Sequence, residues 1–408
     1  MSSSEIEQLE SRLLLSGTPN LSVDASRLVF SQIKGAASRA QYVTLRNTGT
    51  APVAFGSFAV TGADAAEFTI RRKGLPATLA VGGVASVKVT FTPTAAAVRG
   101  ATLQIASNDP DLPVASVTLR GLGTAGQFQS AEPSLQNVLD TWQIPVRVGD
   151  STPGTSGIDG LAPSDEVPMQ FLKKAGPGVV RLTPLAAYSW DFKPVARFGW
   201  YRAKGAVARR ELFTIPEGNG QTLQPAMIGT MTFDPGSLNF GLYSNWPIES
   251  HGDVFSDDAQ NTWDTSSDHQ HKMRFFPFRK ASGKTVPNTY VVTMEEATNG
   301  DFQDAVLVIE NVMPYDAVTA PTNLAVTAVT GNSIRLAWTD NNAYESSYVI
   351  ERSGKKNGTY SVVGAVGANG TTFLDTALPA GTTFYYHVRA VNHTGSSPVS
   401  NRAAGRTN

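Results

Sequence analysis

The sequence predicts an all-β chain built of three β-sandwich modules in tandem. Three observations carry this. Short apolar runs alternate with polar residues at the two-residue period of a strand. They are cut at regular intervals by turn residues, with 37 glycines and 24 prolines in 408 residues. A chain of this length also holds about two to four domains, each able to bury its own core.

Composition narrows the partners. The chain carries 33 Lys and Arg against 34 Asp and Glu, a net charge of −1. No global field therefore draws it to nucleic acid or to an anionic membrane. Cysteine is absent, which excludes disulfides, cysteine-ligated zinc and thiol catalysis. No apolar run is long enough for a transmembrane segment. The first 22 residues read as a leader or targeting segment, and the apolar stretch Leu13 to Leu15 is too short for a secretory core. Leu9, Glu10, Arg12, Leu13, Leu14, Leu15 and Ser16 resemble the Leu-Glu-Pro-Arg (LEPR) type of motif on bacterial surface proteins, with Ser11 where proline is usual. That resemblance implies the cell exterior; an ordinary helical leader is the alternative.

The first module spans 23–125. In "QYVTLRNTG" Tyr42 and Thr44 share one strand face and Val43 and Leu45 the other, before a turn. "VASVKVTFTP", "GATLQIASNDPD" and "VASVTLRGLG" follow as further strands at sandwich spacing. The order of "VTLRNTGTAPV", "GADAAEFTI", "VKVTFTPTAAAVRGATLQIASNDPD" and "VTLRGLGTA" resembles the Ig-like choice-of-anchor D and ASH (Hydin-type) repeats. The resemblance implies a structural sandwich without catalytic residues. Asn47, Gly49, Asn108, Asp109 and Pro110 are read as turn formers.

Residues 126–316 form the second module, read as a jelly-roll-like sandwich. Leu135, Val138, Leu139 and Trp142 recur at i, i+3, i+4 and i+7 behind Pro133, one face of a short helix. Two later strands, "RFGWYRAKG" and "NFGLYSNWP", echo each other as Phe-Gly-x-Tyr, with glycine expected where another chain passes close.

Chemistry concentrates here. "HGDVFSDDAQNTWDTSSDH" holds five aspartates, Asp257 and Asp258 among them, and no Lys or Arg. A flexible acidic loop of this kind suits calcium, which takes hard oxygen ligands. A second acidic turn carries Glu295, Glu296, Asp301 and Asp304 between two strands. Together these six carboxylates are the candidate calcium ligands. "HKMRFFPF", "VPNTY", "EEA" and "NGDFQD" resemble, in order and spacing, a domain of exported bacterial proteins found near sugar-active modules. That resemblance implies an exported, β-rich domain associated with cations or glycans.

His269 and His271 place two imidazoles on one strand face, but no glutamate follows at the spacing a cupin-type metal site uses, and His251 is the one further histidine nearby. Trp246 and Trp263 lie in polar loops and are candidate sugar platforms, whereas Trp200 and Tyr243 fit the core. These two tryptophans and the two histidines form the candidate ligand-binding set. No Gly-x-Ser-x-Gly elbow or phosphate loop occurs, and no spacing singles out the opposed acids of a glycosidase. No catalytic residue is assigned.

The third module spans 317–408. "NSIRLAWTD" puts Ile334, Leu336 and Trp338 on one face, and the segment through "TTFYYHVRAVN" resembles a fibronectin type III domain over its whole length. Phe384 stands where that family's corner tyrosine usually bonds the backbone. No Arg-Gly-Asp triplet is present.

The expectation is a non-catalytic exported cell-surface or extracellular scaffold or adhesion protein. Its middle module would be calcium-stabilised, with a carbohydrate or a cell-surface protein as partner. A glycan-acting hydrolase and a purely structural spacer stay open as alternatives.

Overall fold

The computed structural model describes residues 17–127, 131–149, 164–167, 169–189, 196–203, 207–246, 252–263, 270–297, 299–315, 318–342, 345, 347–392 and 395–408. The LEPR-like residues Leu9 to Ser16, and with them His251 and His269, lie outside the described residues.

Among the described residues the regular structure is nearly all strand. In the first module the sheet Leu21–Val23, Gln41–Asn47, Val84–Phe91, Phe68–Arg71 faces a second sheet. That second sheet runs Arg27–Ile33, Val114–Thr124, Val98–Ser107, Val53–Thr61, Thr78–Leu79. Alternation explains the sandwich: Val43 and Leu45 are fully buried, while Tyr42, on the opposite face of the same strand, is 56% exposed. Phe30, Phe68 and Phe91 stack at its centre. The expected turn formers work through their side chains. Asn47 donates to the Ala51 and Leu79 carbonyls, and Asp109 accepts from the Leu21, Asp111 and Leu112 amides. One pairing is parallel: Arg27–Ile33 runs alongside Val114–Thr124 from Arg27↔Thr118 to Ile33↔Thr124.

The helix Leu135–Trp142 then joins this module to the next. Ser134 caps its start, accepting from the Asn137 amide at 3.3 Å, and Gln143 closes it in a left-handed conformation at φ 57°. Its buried face, Leu135, Val138 and Leu139, meets Val29 and Leu122 on one side and Tyr188, Phe276, Val291 and Val306 on the other. At its C-terminal end Arg27 donates to the Trp142 carbonyl at 2.9 Å and Arg120 to the Asp140 carbonyl at 3.1 Å. Both cations oppose the negative end of the helix dipole.

The middle module is a two-sheet sandwich. One sheet runs Ile228–Gly229, Arg210–Ile215, Ala196–Arg202, Phe240–Asn245, Leu172–Lys174, Val312–Pro314, with Asp253–Phe255 also against Phe240–Asn245. The other runs Gln221–Leu223, Val180–Tyr188, Ala305–Glu310, Thr285–Met294, Met273–Arg279, with Thr232–Phe233 beside Val180–Tyr188. Trp200, Phe213, Phe240, Phe275 and Leu307 fill the space between them. The second sheet is covered on its outer face by the helix, so Val291, Val292, Thr293 and Met294 are all buried. That explains the unbroken apolar runs, which a half-exposed strand would not carry.

The repeated Phe-Gly-x-Tyr has a structural cause. The two strands are antiparallel neighbours, with Gly199 opposite Tyr243 and Tyr201 opposite Gly241. Each tyrosine ring lies over the other strand's glycine. A Cβ at Gly241 would come within 2.4 Å of the Tyr201 ring, and one at Gly199 within 2.1 Å of the Arg210 carbonyl oxygen.

The third module pairs Thr322–Val329, Ile334–Thr339 and Thr372–Asp375 in one sheet. The other holds Ser361–Gly367, Ser347–Ser353, Thr383–Asn392, Gly395–Ser396 and Ala403–Arg406. Ile334 and Leu336 are fully buried and Trp338 nearly so. Phe384 stays half-buried under the Arg352 guanidinium, and the hydroxyl contact comes two residues later. Tyr386 Oη donates to Asp375 Oδ2 at 2.8 Å inside the core.

Candidate functional site

The acidic turn between Thr285–Met294 and Ala305–Glu310 folds inward. The strands pair up to Met294↔Ala305, and the residues between return into the protein. Glu295, Asp301 and Asp304 are all buried, and one carboxylate oxygen from each lies within 4.8 Å of the others.

Backbone amides shape the turn around them. Glu295 accepts from the Ala297 amide at 2.7 Å, the Asp301 amide at 2.9 Å and the Phe302 amide at 3.3 Å. Asp304 accepts from the Glu296 amide at 2.7 Å. Phe302 sits fully buried at φ 57°, a conformation that costs a phenylalanine about 1–2 kcal/mol.

One oxygen is left over. Asp301 Oδ2 accepts from Asn299 Nδ2 at 2.8 Å, but Oδ1 is buried with no hydrogen-bond partner. The amide oxygens of Asn299 and Gln303 are likewise buried and unpartnered. Gln303 is close enough to ease the Asp301 charge without making a bond of normal geometry to it. Burial first, and then the Glu295 charge, push the Asp301 carboxyl up to about 8. Asp304 is also raised well above the carboxylate range, by burial and then by Glu296, Glu295 and Asp301. Three carboxylates and two idle amide oxygens are hard donors of the kind calcium takes.

The rest of the expected metal set lies elsewhere. Glu296 is buried beside the trio and adds to the charge on Asp304, but it is not one of the three converging groups. Asp257 caps a short 3₁₀ turn, accepting from the Ala259 amide at 3.2 Å. Asp258 belongs to a second constellation with His271, which corrects the assignment of both residues. Its two oxygens lie 3.1 Å from His271 Nδ1, and Glu166 Oε1 lies 2.8 Å from Nε2. Arg274 Nε donates to the other Glu166 oxygen at 2.7 Å, and Gln170 to Asp258 at 2.8 Å. Burial alone would lower the His271 pKa, but the two carboxylates reverse this and raise it to about 10. The ring is an imidazolium with both N–H groups donating to carboxylates, so no lone pair is free for a metal.

The tryptophans are corrected too. Trp246 is 2% exposed, donates Nε1 to Ser244 Oγ at 2.7 Å and meets Phe198 edge-on at 5.4 Å. It is a core residue, not a sugar platform. Trp263 is half-buried against the same core, and the Lys272 ammonium lies 4.6 Å over its ring. Lys272 also donates to the Ala297 carbonyl, which ties this pair to the acidic turn. As expected, Trp200 and Tyr243 are core residues.

Sequence reasoning passed over Glu166, Asn299 and Gln303. Glu166 is 105 residues from His271, and nothing in its neighbourhood marks it. Asn299 and Gln303 flank Asp301 in "TNGDFQDA", where amides two residues to either side of an acid were the available signal.

The fold defines a multidomain protein of tandem β-sandwiches. Residues 319–406 match the fibronectin type III domain, and residues 19–122 match the HYDIN/CFA65/VesB-like, Ig-like domain. A poly(3-hydroxybutyrate) depolymerase of Ralstonia pickettii is 40% identical over 91 residues, which is 22% of this chain and 17% of that enzyme. The chain thus spans under a fifth of that relative's length. Among solved structures, a Fn3-like protein from Clostridium thermocellum is 29% identical over 22% of this chain and 96% of its own, with a TM-score of 0.20. An FN3 domain of human collagen XX is 27% identical over 22% and 94%, also at 0.20. A Porphyromonas gingivalis protein of unknown function is 17% identical over 26% and 47%, at 0.23. Among the described residues no helix is long and apolar enough to cross a membrane.

Proposed function

We propose that the chain is a non-catalytic, exported multidomain scaffold whose middle module is stiffened by one calcium ion at Glu295, Asp301 and Asp304. The modules divide at 23–125, 126–316 and 317–408 behind a leader, and the first is of the choice-of-anchor D kind. The observation that carries the reading is the buried Asp301 Oδ1, which no donor among the described residues reaches, beside the Glu295 and Asp304 carboxylates. A buried polar atom left in this state costs about 1–3 kcal/mol, and a divalent cation removes that cost. The residues fit such an ion, which would offset two of the trio's three negative charges and pin the turn to both strands. Fibronectin type III and Ig-like modules on either side support a role in spacing and adhesion at the cell surface or outside it, with a cell-surface protein or a glycan as partner.

The same burial argues against a hydrolase. Acids that flank a glycosidic bond must face an open cleft, whereas these accept backbone amides inside the fold. The depolymerase relative favours a second reading, an accessory chain that works alongside a polymer-degrading enzyme.

Thermal melting in calcium and in EDTA tests the proposal. At a calcium concentration one hundred times Kd the gain is about 2.7 kcal/mol, or about 5–10 °C for a module of this size. A Glu295→Gln, Asp304→Asn double variant should lose that shift. Identical wild-type melts in calcium and EDTA would remove the calcium site. Turnover of poly(3-hydroxybutyrate) or of a polysaccharide by the purified chain would overturn the non-catalytic reading.

A further inference from the structure

Charge is not spread evenly along the chain. Residues 23–125, the first module, hold ten Lys and Arg against five Asp and Glu, a net charge of +5 inside a chain whose total is −1. Part of that excess gathers on one sheet face. Val43, Leu45, Val87 and Val89 form the buried side of the strands Gln41–Asn47 and Val84–Phe91, so the residues between them point outward. Across these two strands and Phe68–Arg71 the register sets Tyr42, Lys88 and Arg71 in one row. Arg46 stands further along the first strand, opposite Val84. Arg46 and Arg71 are exposed, Tyr42 is 56% exposed, and Lys88 is half-buried between its neighbours.

The row is electrostatically unfavourable by itself. Lys88 faces Arg71 directly, and like charges opposite one another destabilise a strand pair. The module's acids are engaged elsewhere. Asp64 and Glu67 lie against Arg99 at 3.5 and 3.2 Å, and Asp109 accepts three backbone amides in the turn that also holds Asp111. Asp24 lies across Gln41–Asn47 from Lys88 and accepts from the Thr44 amide at 2.8 Å. Among the described residues Arg46, Arg71 and Lys88 make no ion pair.

We propose that this face binds an acidic, uronate-bearing polysaccharide, with its carboxylates on Arg71, Lys88 and Arg46 and a sugar ring against Tyr42. The proposal rests on the glycan partner inferred above and is independent of the calcium site. A guanidinium meets a carboxylate as a planar fork. Thr44 and Ser86 fill the row between Tyr42–Lys88 and Arg46–Val84, and set hydroxyls where those of a sugar would pass. Neighbouring strands lie about 4.8 Å apart, close to the length of one sugar ring. A single-stranded nucleic acid stacks base after base on a series of rings, and on these strands Tyr42 is the one outward ring. An acidic protein needs an apolar centre, whereas Tyr42 and Val84 lie roughly 13 Å apart along the strands.

Biolayer interferometry of the full chain on immobilised polygalacturonate tests it, in EDTA so that calcium does not crosslink the polymer. Dextran, poly(dT) and polyglutamate serve as the neutral, nucleic-acid and acidic-polypeptide probes. Binding to polygalacturonate and not to dextran is expected, weakening on the order of tenfold between about 50 and 200 mM salt. A Lys88→Gln, Arg71→Gln double variant should bind roughly tenfold more weakly and melt no lower than wild type, since a repulsion leaves with the charges. Tyr42→Ala should weaken binding roughly threefold. Arg335→Ala, which removes an exposed cation of the third module, should change nothing. No binding to polygalacturonate, undiminished binding by the double variant, equal binding to dextran, or tighter binding to poly(dT) or polyglutamate would each overturn the proposal. Charge-dependent binding by a chain whose melting ignores calcium would remove the calcium site and still support this face.

Discussion

Raising the pH should dissolve the Glu166–His271–Asp258 bridge, and the structure sets the size of the effect. The His271 pKa lies at about 10 in the fold against an ordinary 6.5. A raised folded value means that the stabilisation is complete below about pH 6.5 and is lost as the pH climbs through about 10. At about 1.4 kcal/mol per unit the ceiling is roughly 5 kcal/mol. The imidazole keeps 23% of its side-chain surface and Asp258 keeps 28%, so water screens part of this. We expect about half, roughly 2–3 kcal/mol. Urea midpoints measured across that window for wild type and His271→Gln isolate the term, since other groups titrate equally in both. The wild type should lose about 2–3 kcal/mol more than the variant, and the two should converge near pH 10. Parallel curves would refute the reasoning, because they would mean that the ring is neutral in the fold. The acid side has the opposite sign. Burial opposes the Glu166 charge, but His271 and Arg274 hold its carboxyl below the usual range, so its share is present above that range and fades as the pH falls through it.

Three further outcomes follow from the same contacts. Asp301 holds its proton up to about pH 8, so calcium must expel it; the calcium-induced melting shift should be larger at pH 9 than at pH 6, with proton release visible in unbuffered titration. Gly199→Ala drives a methyl to 2.1 Å from a backbone oxygen and should cost about 3 kcal/mol, read from denaturant midpoints, while Gly218→Ala meets no atom and should cost about 1 kcal/mol through its positive φ alone. Trp246→Ala should lose about 3–5 kcal/mol of stability by calorimetry and leave any glycan binding by the folded fraction unchanged.

Local pattern made the outer modules readable. Alternation separated Val43 and Leu45 from Tyr42 and Thr44 and put Ile334, Leu336 and Trp338 on one face, and the fold buries the Val43 and Ile334 faces. The short helix was equally visible, because Leu135, Val138 and Leu139 obey one period. The middle module was harder for a physical reason. Its second sheet is buried on both sides, so alternation in "YVVTM" and "AVLVIE" disappears and the outer face cannot be told from the inner. Exposure of single aromatics was harder still. Trp246 stands in a polar stretch, and only the fold reveals that Phe198 and Ser244 enclose it. Of the six candidate ligands, three converge because one hairpin turn carries them. Asp258 went instead to His271, a pairing set by strand geometry over 13 residues and by a glutamate 105 residues away.

The parallel pairing of Arg27–Ile33 with Val114–Thr124 has a mechanical meaning. Beyond the short strand Leu21–Val23, traction on the two ends of the first module pulls these strands along their length in opposite directions. From Arg27↔Thr118 to Ile33↔Thr124 the register then carries the load in shear, with all its hydrogen bonds strained together instead of opening one by one. The helix Leu135–Trp142 comes later in the chain and is tied back to Arg27 and Arg120, so the joint to the middle module is braced against the loaded pair.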